Sequence, residues 1–260
     1  MSNSNDAPVF IFNNEEPKMQ RAIEKARETF GFFWREIAWN RRRIIPALDM
    51  ACVKAPFFDP PESGNMDEVE AEQMWLTDVD FDGRDIKGTL MNSPRWVKSV
   101  SEGDEVSVPL AQISDWMYVY VTDNTVYGGY TVNAIRESMS PDERAQHDDA
   151  WGLNFPEDPT RTIVYRDDYG TDAEAADDHP MGRNMGDSLA EYLSQDPNRA
   201  NERDDDGWTF LHRQALAGSR NCVSVLLEHG ADRTLETPHG MTALQLAESL
   251  NWKRTVDLLQ

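Results

Sequence analysis

Asp78, Asp80 and Asp82, followed by Gly83, have the alternation of the first half of a calcium loop. In such a loop spaced carboxylates meet a hard cation and a glycine makes the sharp turn. The second half is missing: the twelfth position is Thr89, where a bidentate acid is needed, and β-forming residues flank the segment. Alternate acids in a strand share its wet face, and that is the reading adopted. The five histidines, His147, His179, His212, His229 and His239, have no Cys or His at ligand spacing, so no metal site is predicted. Cys52 and Cys222 are far apart, which argues against a disulfide framework and for a reducing compartment. Cys222 falls on a helix and Cys52 in a strand, where nothing favours a thiolate. Gly128-Gly129 is too short for a phosphate loop, and no serine-nucleophile motif occurs. No cofactor is implied, and no catalytic residue is assigned.

Asp115-Trp116 is the constellation with the most chemistry in it. An acid beside an aromatic ring at a strand start can orient a ligand, with Gly129 permitting close approach to the backbone. On the structural reading, Asp115 caps backbone amides and Trp116 fills the core. An enzyme reading centres on Asp115, Asp104 and Tyr130 and requires a cleft with a carboxylate of strongly raised pKa. Arg41-Arg42-Arg43 is the basic cluster of the chain. It is either a phosphate or partner site or a solvated helix end, where positive charge is favoured.

The elements that must hold these residues follow from pattern. Residues 1–14 form a lead-in in which Val9 to Phe12 can dock as an edge strand. Glu15-Glu16-Pro17 opens a helix. Met19, Ile23, Ala26, Phe30, Phe33-Trp34 and Ile37 recur at spacings of three and four, one apolar stripe. Gly31 lies inside it and costs about 1 kcal/mol against alanine, so a bend is expected there. Strands are predicted over Leu48 to Phe58, Gln73 to Phe81, Ile86 to Met91 and Glu105 to Pro109, with Trp75, Thr77, Val79 and Phe81 on one face of the second. Ile113 to Thr131 is the densest run of β-formers and is read as the central hairpin, turning at Asp123-Asn124. Ser140-Pro141-Asp142-Glu143 opens a later helix. The fold class is α+β: an N-terminal antiparallel sheet with flanking helices, followed by an all-α C-terminal stack.

The series WLTDVDFDGRDIKGTLMNSP, EGDEVSVPLAQISDWM and YGGYTV resembles the YegJ-like family, domain of unknown function 2314, over about residues 20–150. The resemblance implies a fold and no catalytic residues. The domains drawn are 1–150, an acidic linker over 151–187, and 188–260.

The C-terminal part repeats itself. Asp206-Gly207-Trp208-Thr209-Phe210-Leu211-His212 matches His239-Gly240-Met241-Thr242-Ala243-Leu244-Gln245 at a spacing of 33 residues. Period and phrase resemble the ankyrin repeat, strongly over 204–259, with Leu189 to Ala200 as the end of a preceding unit. Each unit has an apolar face that it cannot bury alone, and about three are needed for stability. Two and a half are visible, so the array must borrow cover from the linker helix or the N-terminal domain. Turn tips carry recognition in such arrays, and the residues predicted to bind a partner are Arg203, Asp205, Trp208, His239 and Met241. An exposed tryptophan is a common interface anchor; Trp208 packed between repeats is the alternative.

There are 47 acidic and 25 basic side chains, a formal charge of −22, shared as −12 over residues 1–150 and −10 over 151–260. Such a field disfavours nucleic acid and anionic membrane and favours a basic protein partner; solubility alone is the plain alternative. The start has no basic residue before a short apolar run, and no stretch is long and apolar enough to span a bilayer, so a cytoplasmic location is expected. The function class is binding and not catalysis. Its sharper form is a bacterial immunity or inhibitor protein that neutralises a basic toxin, with an enzyme or a passive scaffold as alternatives.

Overall fold

A computed structural model describes residues 17–60, 71–156 and 178–260. The Val9 to Phe12 strand, nearly all of the acidic loop at 62–71 and most of the 151–187 linker lie outside the described residues. Helix α1 is Pro17–Asn40. Its stripe of Met19, Ile23, Ala26, Phe30, Phe33, Trp34 and Ile37 is buried, so the spacing translates into one covered face. The helix is assigned without a break at Gly31. A Cβ there would lie 3.2 Å from the Trp252 ring and 3.4 Å from the Leu250 carbonyl oxygen. The glycine provides room for a neighbour and not a break in the helix.

The sheet comprises β1 Leu48–Phe57, β2 Glu72–Phe81, β3 Asp85–Leu90, β4 Glu105–Pro109, β5 Asp115–Tyr120 and β6 Val126–Gly128. Their spatial order is β4-β3-β2-β1-β5-β6. β1 pairs antiparallel with β2, Val53 opposite Leu76, and with β5, Cys52 opposite Met117. β5 pairs antiparallel with β6. The antiparallel sheet is as expected, but the hairpin expected at its centre is at its edge. β1 and β2 hold the middle, and β6 is a three-residue edge strand. β5 is still buried on both faces because separate layers cover it. Trp116 Nε1 donates to the Ala26 carbonyl of α1 at 2.8 Å on one side. Met117 and Val119 join Cys52, Val126, Val132 and Phe155 on the other.

Alternation in β2 also departs from the pattern. The buried apolar positions are Met74, Leu76, Val79 and Phe81, so Trp75 does not share a face with Phe81. Asp78 has φ +51°, and one residue in the left-handed region resets a period of two. Helices α2 Tyr130–Arg136 and α3 Pro141–Trp151 follow the sheet. Helix α3 opens as its sequence demands: Ser140 and Glu143 cap each other's backbone N–H groups, with Pro141 in the first turn.

The C-terminal helices are α4 Pro180–Gln195, α5 Phe210–Leu216, α6 Arg220–Glu228, α7 Ala243–Ser249 and α8 Lys253–Leu259, with a 3-10 turn Pro197–Asn201 after α4. The 33-residue repeat is legible bond by bond. Thr209 with His212 and Thr242 with Gln245 form equivalent capping boxes at the starts of α5 and α7. Ahead of them, Asp204 N–H donates to the Trp208 carbonyl and Thr237 N–H to the Met241 carbonyl, closing two equivalent tips. At the turns Gly207 and Gly240 take φ of +78° and +71°, which L side chains avoid.

By compactness the described chain forms two units. One holds α1 up to Thr29, residues 45–80, and Ile86 through α3; the other holds Phe30–Ile44, Phe81–Asp85 and the C-terminal helices. Within the second unit, Trp39 belongs to the same core as Leu193, Leu211, Cys222, Leu226 and Trp252, and Phe32 packs against it. The cover that two and a half repeats need is thus supplied by the second half of α1.

Candidate functional site

Asp115 lies in the first unit, wholly buried. Its Oδ1 accepts from the N–H groups of Trp116 and Tyr130, both at 2.9 Å. Its Oδ2 accepts from Thr131 N–H at 2.8 Å and Thr131 Oγ1 at 2.5 Å. The carboxylate therefore closes the N-terminus of α2, whose first N–H groups have no partner within the helix. Burial drives its pKa up, while Lys54 and the Thr131 bonds pull it down. The same burial lowers the pKa of Lys54, which Asp115 partly restores. Burial, and then Asp115, push the Cys52 thiol far up.

The ring of Trp116 is inside the core, stacked on Tyr118 with centroids 5.9 Å apart. The close approach expected at Gly129 is instead at Gly128: a Cβ on Gly128 would lie 2.3 Å from the Trp116 carbonyl oxygen, and one on Gly129 would meet nothing nearer than 3.6 Å. Nor do the other acids of the enzyme reading converge. The Tyr130 hydroxyl accepts from Thr29 at 2.9 Å, and the Asp104 carboxylate accepts from Ser101 N–H in its own turn. Asp115, Trp116 and Gly129 are thus brought together as packing around a helix start.

The half-calcium motif resolves into a turn. Asp82 Oδ1 accepts from Arg84 and Asp85 N–H at 2.9 and 2.8 Å, while Asp78 and Asp80 face outward. Among the described residues no group of three or more His, Cys, Asp or Glu side chains is placed to hold a metal ion. His212 Nδ1 accepts from Thr209 N–H, and its Nε2 lies 2.8 Å from the Leu235 carbonyl, which ties one repeat to the next tip. His179 caps α4 through Met181 N–H and stacks on Trp39. Burial pushes the Cys222 thiol up to about 12.

Of the residues predicted to bind a partner, two are not at the surface. Trp208 and Met241 are each 5% exposed. They are equivalent positions of the repeat, one residue before the capping threonine, and that position points inward. Trp208 takes the packed alternative, 4.6 Å from Arg213 and 6.1 Å from His212. Met241 packs on the β2–β3 turn, its Sδ 2.9 Å from where a Cβ of Gly83 would be. Asp205 and His239 are exposed. Arg203 is exposed too, but Nη1 donates to the Gly207 carbonyl and, at 2.9 Å, to the Glu236 carbonyl, linking one tip to the next.

Pattern reading missed the cleft beside these tips, wholly within the second unit. It has a volume of about 640 Å³. Five arginines line it, Arg41, Arg42, Arg199, Arg203 and Arg213, against three acids, Glu202, Asp204 and Asp206. Guanidinium groups lie on rings around its wall. Arg42 is 4.5 Å from the Phe210 centroid and 5.5 Å from that of Trp39. Arg41 is 5.3 Å from Trp34, and Arg199 is 4.2 Å from Tyr192. Two of the acids are engaged: Arg213 pairs with Asp204 at 2.9 Å and Asp206 at 2.7 Å. The triple-arginine run was the one visible signal, and the structure divides it. Arg41 and Arg42 line the cleft, while Arg43 pairs with buried Glu36 at 3.4 Å.

The class defined by these geometries is an ankyrin-repeat protein, with a protein-interaction role, that carries an antiparallel α+β domain ahead of its repeats. More particularly, the chain belongs to the DUF2314 family, described as "Uncharacterized protein conserved in bacteria", whose model matches residues 16–155; the ankyrin-repeat model matches 181–260. It is similar to NMB1133/NMB1171 of Neisseria meningitidis serogroup B, described as an ankyrin repeat protein, at 41% identity over 98% of both chains. It is similar to YegJ of Escherichia coli K12 at 33% identity over 36% of this chain and 56% of that one. A segment covering 27% of this chain is 37% identical to 15% of the human NAD-capped RNA hydrolase NUDT12, too little of that protein to carry over its activity. No solved structure matches the chain. No helix among the described residues is long and apolar enough to cross a membrane.

Proposed function

We propose that this is a non-enzymatic protein-binding protein that acts in the cytoplasm on a basic partner. In its sharpest form it is an immunity or inhibitor protein that neutralises a basic toxin or effector by covering its active surface. The observation that carries binding is the repeat stack itself, with Asp205 and His239 at exposed tips. The formal charge of −22 supports a basic partner, since a field of that sign steers cations toward the chain and repels polyanions. The capping geometry of Asp115 weighs against the enzyme reading, because the protein already supplies four hydrogen bonds to that carboxylate. A passive scaffold would show many weak partners in place of one.

The test is affinity capture with the full chain from native lysate at moderate salt. One stoichiometric basic protein, whose toxicity or activity falls on addition of this chain, is the expected result. No stoichiometric partner, or partners that are uniformly acidic, would overturn the reading.

A further inference from the structure

The repeat stack begins with half a unit, and the missing half has a place in the second unit. α5 with α6 makes one repeat and α7 with α8 the next. First helices pack on first helices, α5 on α7, and second on second, α4 on α6. α4 is thus a second helix without a first. Its Leu189 and Leu193 stand 33 residues before Cys222 and Leu226 of α6, and all four are buried in one core. Counting the same period back from α5 lands on residues 177–183, which from Pro180 onward belong to α4 itself. Among the described residues the repeat's own chain therefore does not fill the slot for a first helix beside α4 and α5. We propose that the cleft is this slot and that it seats a short amphipathic helix of the protein partner, added to the stack as its missing first helix. The inference deepens the protein-binding reading and rests on it.

Position is the first support. The cleft is bounded by Tyr192 and Leu193 of α4, by Phe210, Gln214 and Ala217 of α5, and by the tip that precedes α5. A first helix touches the second helix of its own unit and the first helix of the next, and those are the walls found. α1 stands along the outer side with Trp34, Ala38 and Trp39, and Arg42 rests on Phe210 at 4.5 Å. α1 narrows the slot without filling it, since about 640 Å³ remain. That volume takes the side chains of one helix face and not a folded surface. The arginines of the wall keep the contacts they have. Arg213 pairs with Asp204 and Asp206, Arg203 donates to two tip carbonyls, Arg199 to the Tyr192 carbonyl, and Arg42 to Met185 Sδ at 3.8 Å.

Polarity is the second. Trp34 Nε1, Trp39 Nε1 and Gln214 Oε1 are buried without a hydrogen bond among the described residues, and all three residues line this cleft. One period on from Gln214 is Ala247, 0% exposed, as a closed seam requires. A buried amide oxygen without a donor is costly. A hydroxyl or amide on an entering helix supplies that donor, whereas a bare anion carries acceptors only. The third support is the template. α5 and α7 are seven residues each and bury residues four apart, Leu211 with Ala215 and Ala243 with Ala247. A helix laid in a groove is read at that spacing. The occupant needs two turns, apolar at i and i+4, with a hydroxyl or amide beside them.

The test is fluorescence anisotropy on the full chain. The probe is a hydrocarbon-stapled, fluorescein-labelled peptide of residues 208–218, because the occupant stands to α5 as α5 stands to α7. The control is the same stapled peptide carrying Leu211→Asp/Ala215→Asp. Expected are saturable binding of the probe below about 1 mM and about tenfold weaker binding of the control. Ala38→Trp plugs the cleft from a half-buried position of α1 and should weaken the probe by about tenfold. Tyr192→Ser, at a position 49% exposed, should weaken it to a smaller extent and serves if Ala38→Trp misfolds. No saturation below about 1 mM, equal binding by both variants, or equal binding of the control helix would overturn the proposal. Dimerisation of the parent that Ala38→Trp abolishes would overturn it too, by making the occupant a second copy of this chain. The two readings fail separately. A captured partner that binds Ala38→Trp and Tyr192→Ser as well as the parent refutes the slot and leaves the binding function standing. Probe binding with no captured partner does the opposite.

Discussion

Gly128 is the position in the first unit where a single methyl group has most effect. Its φ is +78°, and a Cβ would strike both the carbonyl oxygen and the ring of Trp116, at 2.3 and 2.4 Å. Backbone strain and overpacking add, so Gly128→Ala should destabilise by about 3–5 kcal/mol in urea unfolding. Gly129→Ala has a similar φ but open space, and should cost only about 1 kcal/mol. Equal losses would show that the Trp116 contact is not what excludes a side chain. Asp178 gives a prediction in pH. Burial pushes its carboxyl up to about 6, against the pull of the Asn221 N–H bond and of Arg35, Arg183 and Arg220. In the unfolded chain it ionises near 3.8. Below about 4 it is protonated in both states and contributes nothing. From about 4 to 6 the folded form holds a proton that the unfolded form has released, so its contribution to stability falls as pH rises. Above about 6 the full penalty remains, on the order of 3 kcal/mol. Asp178→Asn removes the titration. Its stability relative to the parent should rise between pH 4 and 6.5 and then level off; a fall over that range would contradict the assignment.

At the scale of elements, α1 is shared between the two compact units. Its apolar stripe was legible because a period of three to four needs no knowledge of the partner. What covers the stripe was not legible, since the same spacing serves any apolar neighbour. Phe32 and Trp39, which join the repeat core, lie off that stripe, on the opposite side of the helix at 3.6 residues per turn, so the stripe did not point to them. The repeats were legible by period and phrase, because their signal is local: a glycine, a threonine two residues on and a leucine two beyond that recur together 33 residues later. The Asp115 cap could be posed as an alternative but not decided, because its donors are 15 and 16 residues away. The inward turn of Trp208 and Met241 was hidden because a tip is polar and exposed on average, while one position in it is not. The borrowed cover has a consequence. A fragment of residues 178–260 lacks Phe32 and Trp39 and leaves the face of Leu193, Leu211 and Trp252 partly open. It should unfold without a sharp transition and bind a hydrophobic dye, whereas the full chain should not. A cooperative, dye-negative fragment would show that the repeats close their own core.

Across the whole molecule the dominant quantity is charge. Acids exceed bases by 22, and the excess is spread nearly evenly along the sequence. Folding brings those charges closer together, so the native state carries a repulsion that the unfolded chain partly escapes. The described ion pairs offset little of it. Lys18–Glu137 is exposed, and pairs of that kind contribute little. Arg136 with Asp148 at 2.6 Å is half-sheltered and local. Salt should therefore stabilise this protein instead of weakening it. Raising sodium chloride from about 0.02 to 0.5 M shortens the screening length from more than 20 Å to about 4 Å, which removes the long-range repulsion and leaves contact pairs largely intact. A gain of about 1–2 kcal/mol corresponds to roughly 3–6 °C in Tm for a chain of this size. Sodium sulfate would confuse the test by strengthening apolar burial, so chloride is the salt to use. A Tm that stays flat or falls with chloride would mean that paired charges, and not the net excess, govern the electrostatics of the fold. The steering role assigned to the acidic field would then lose its physical basis.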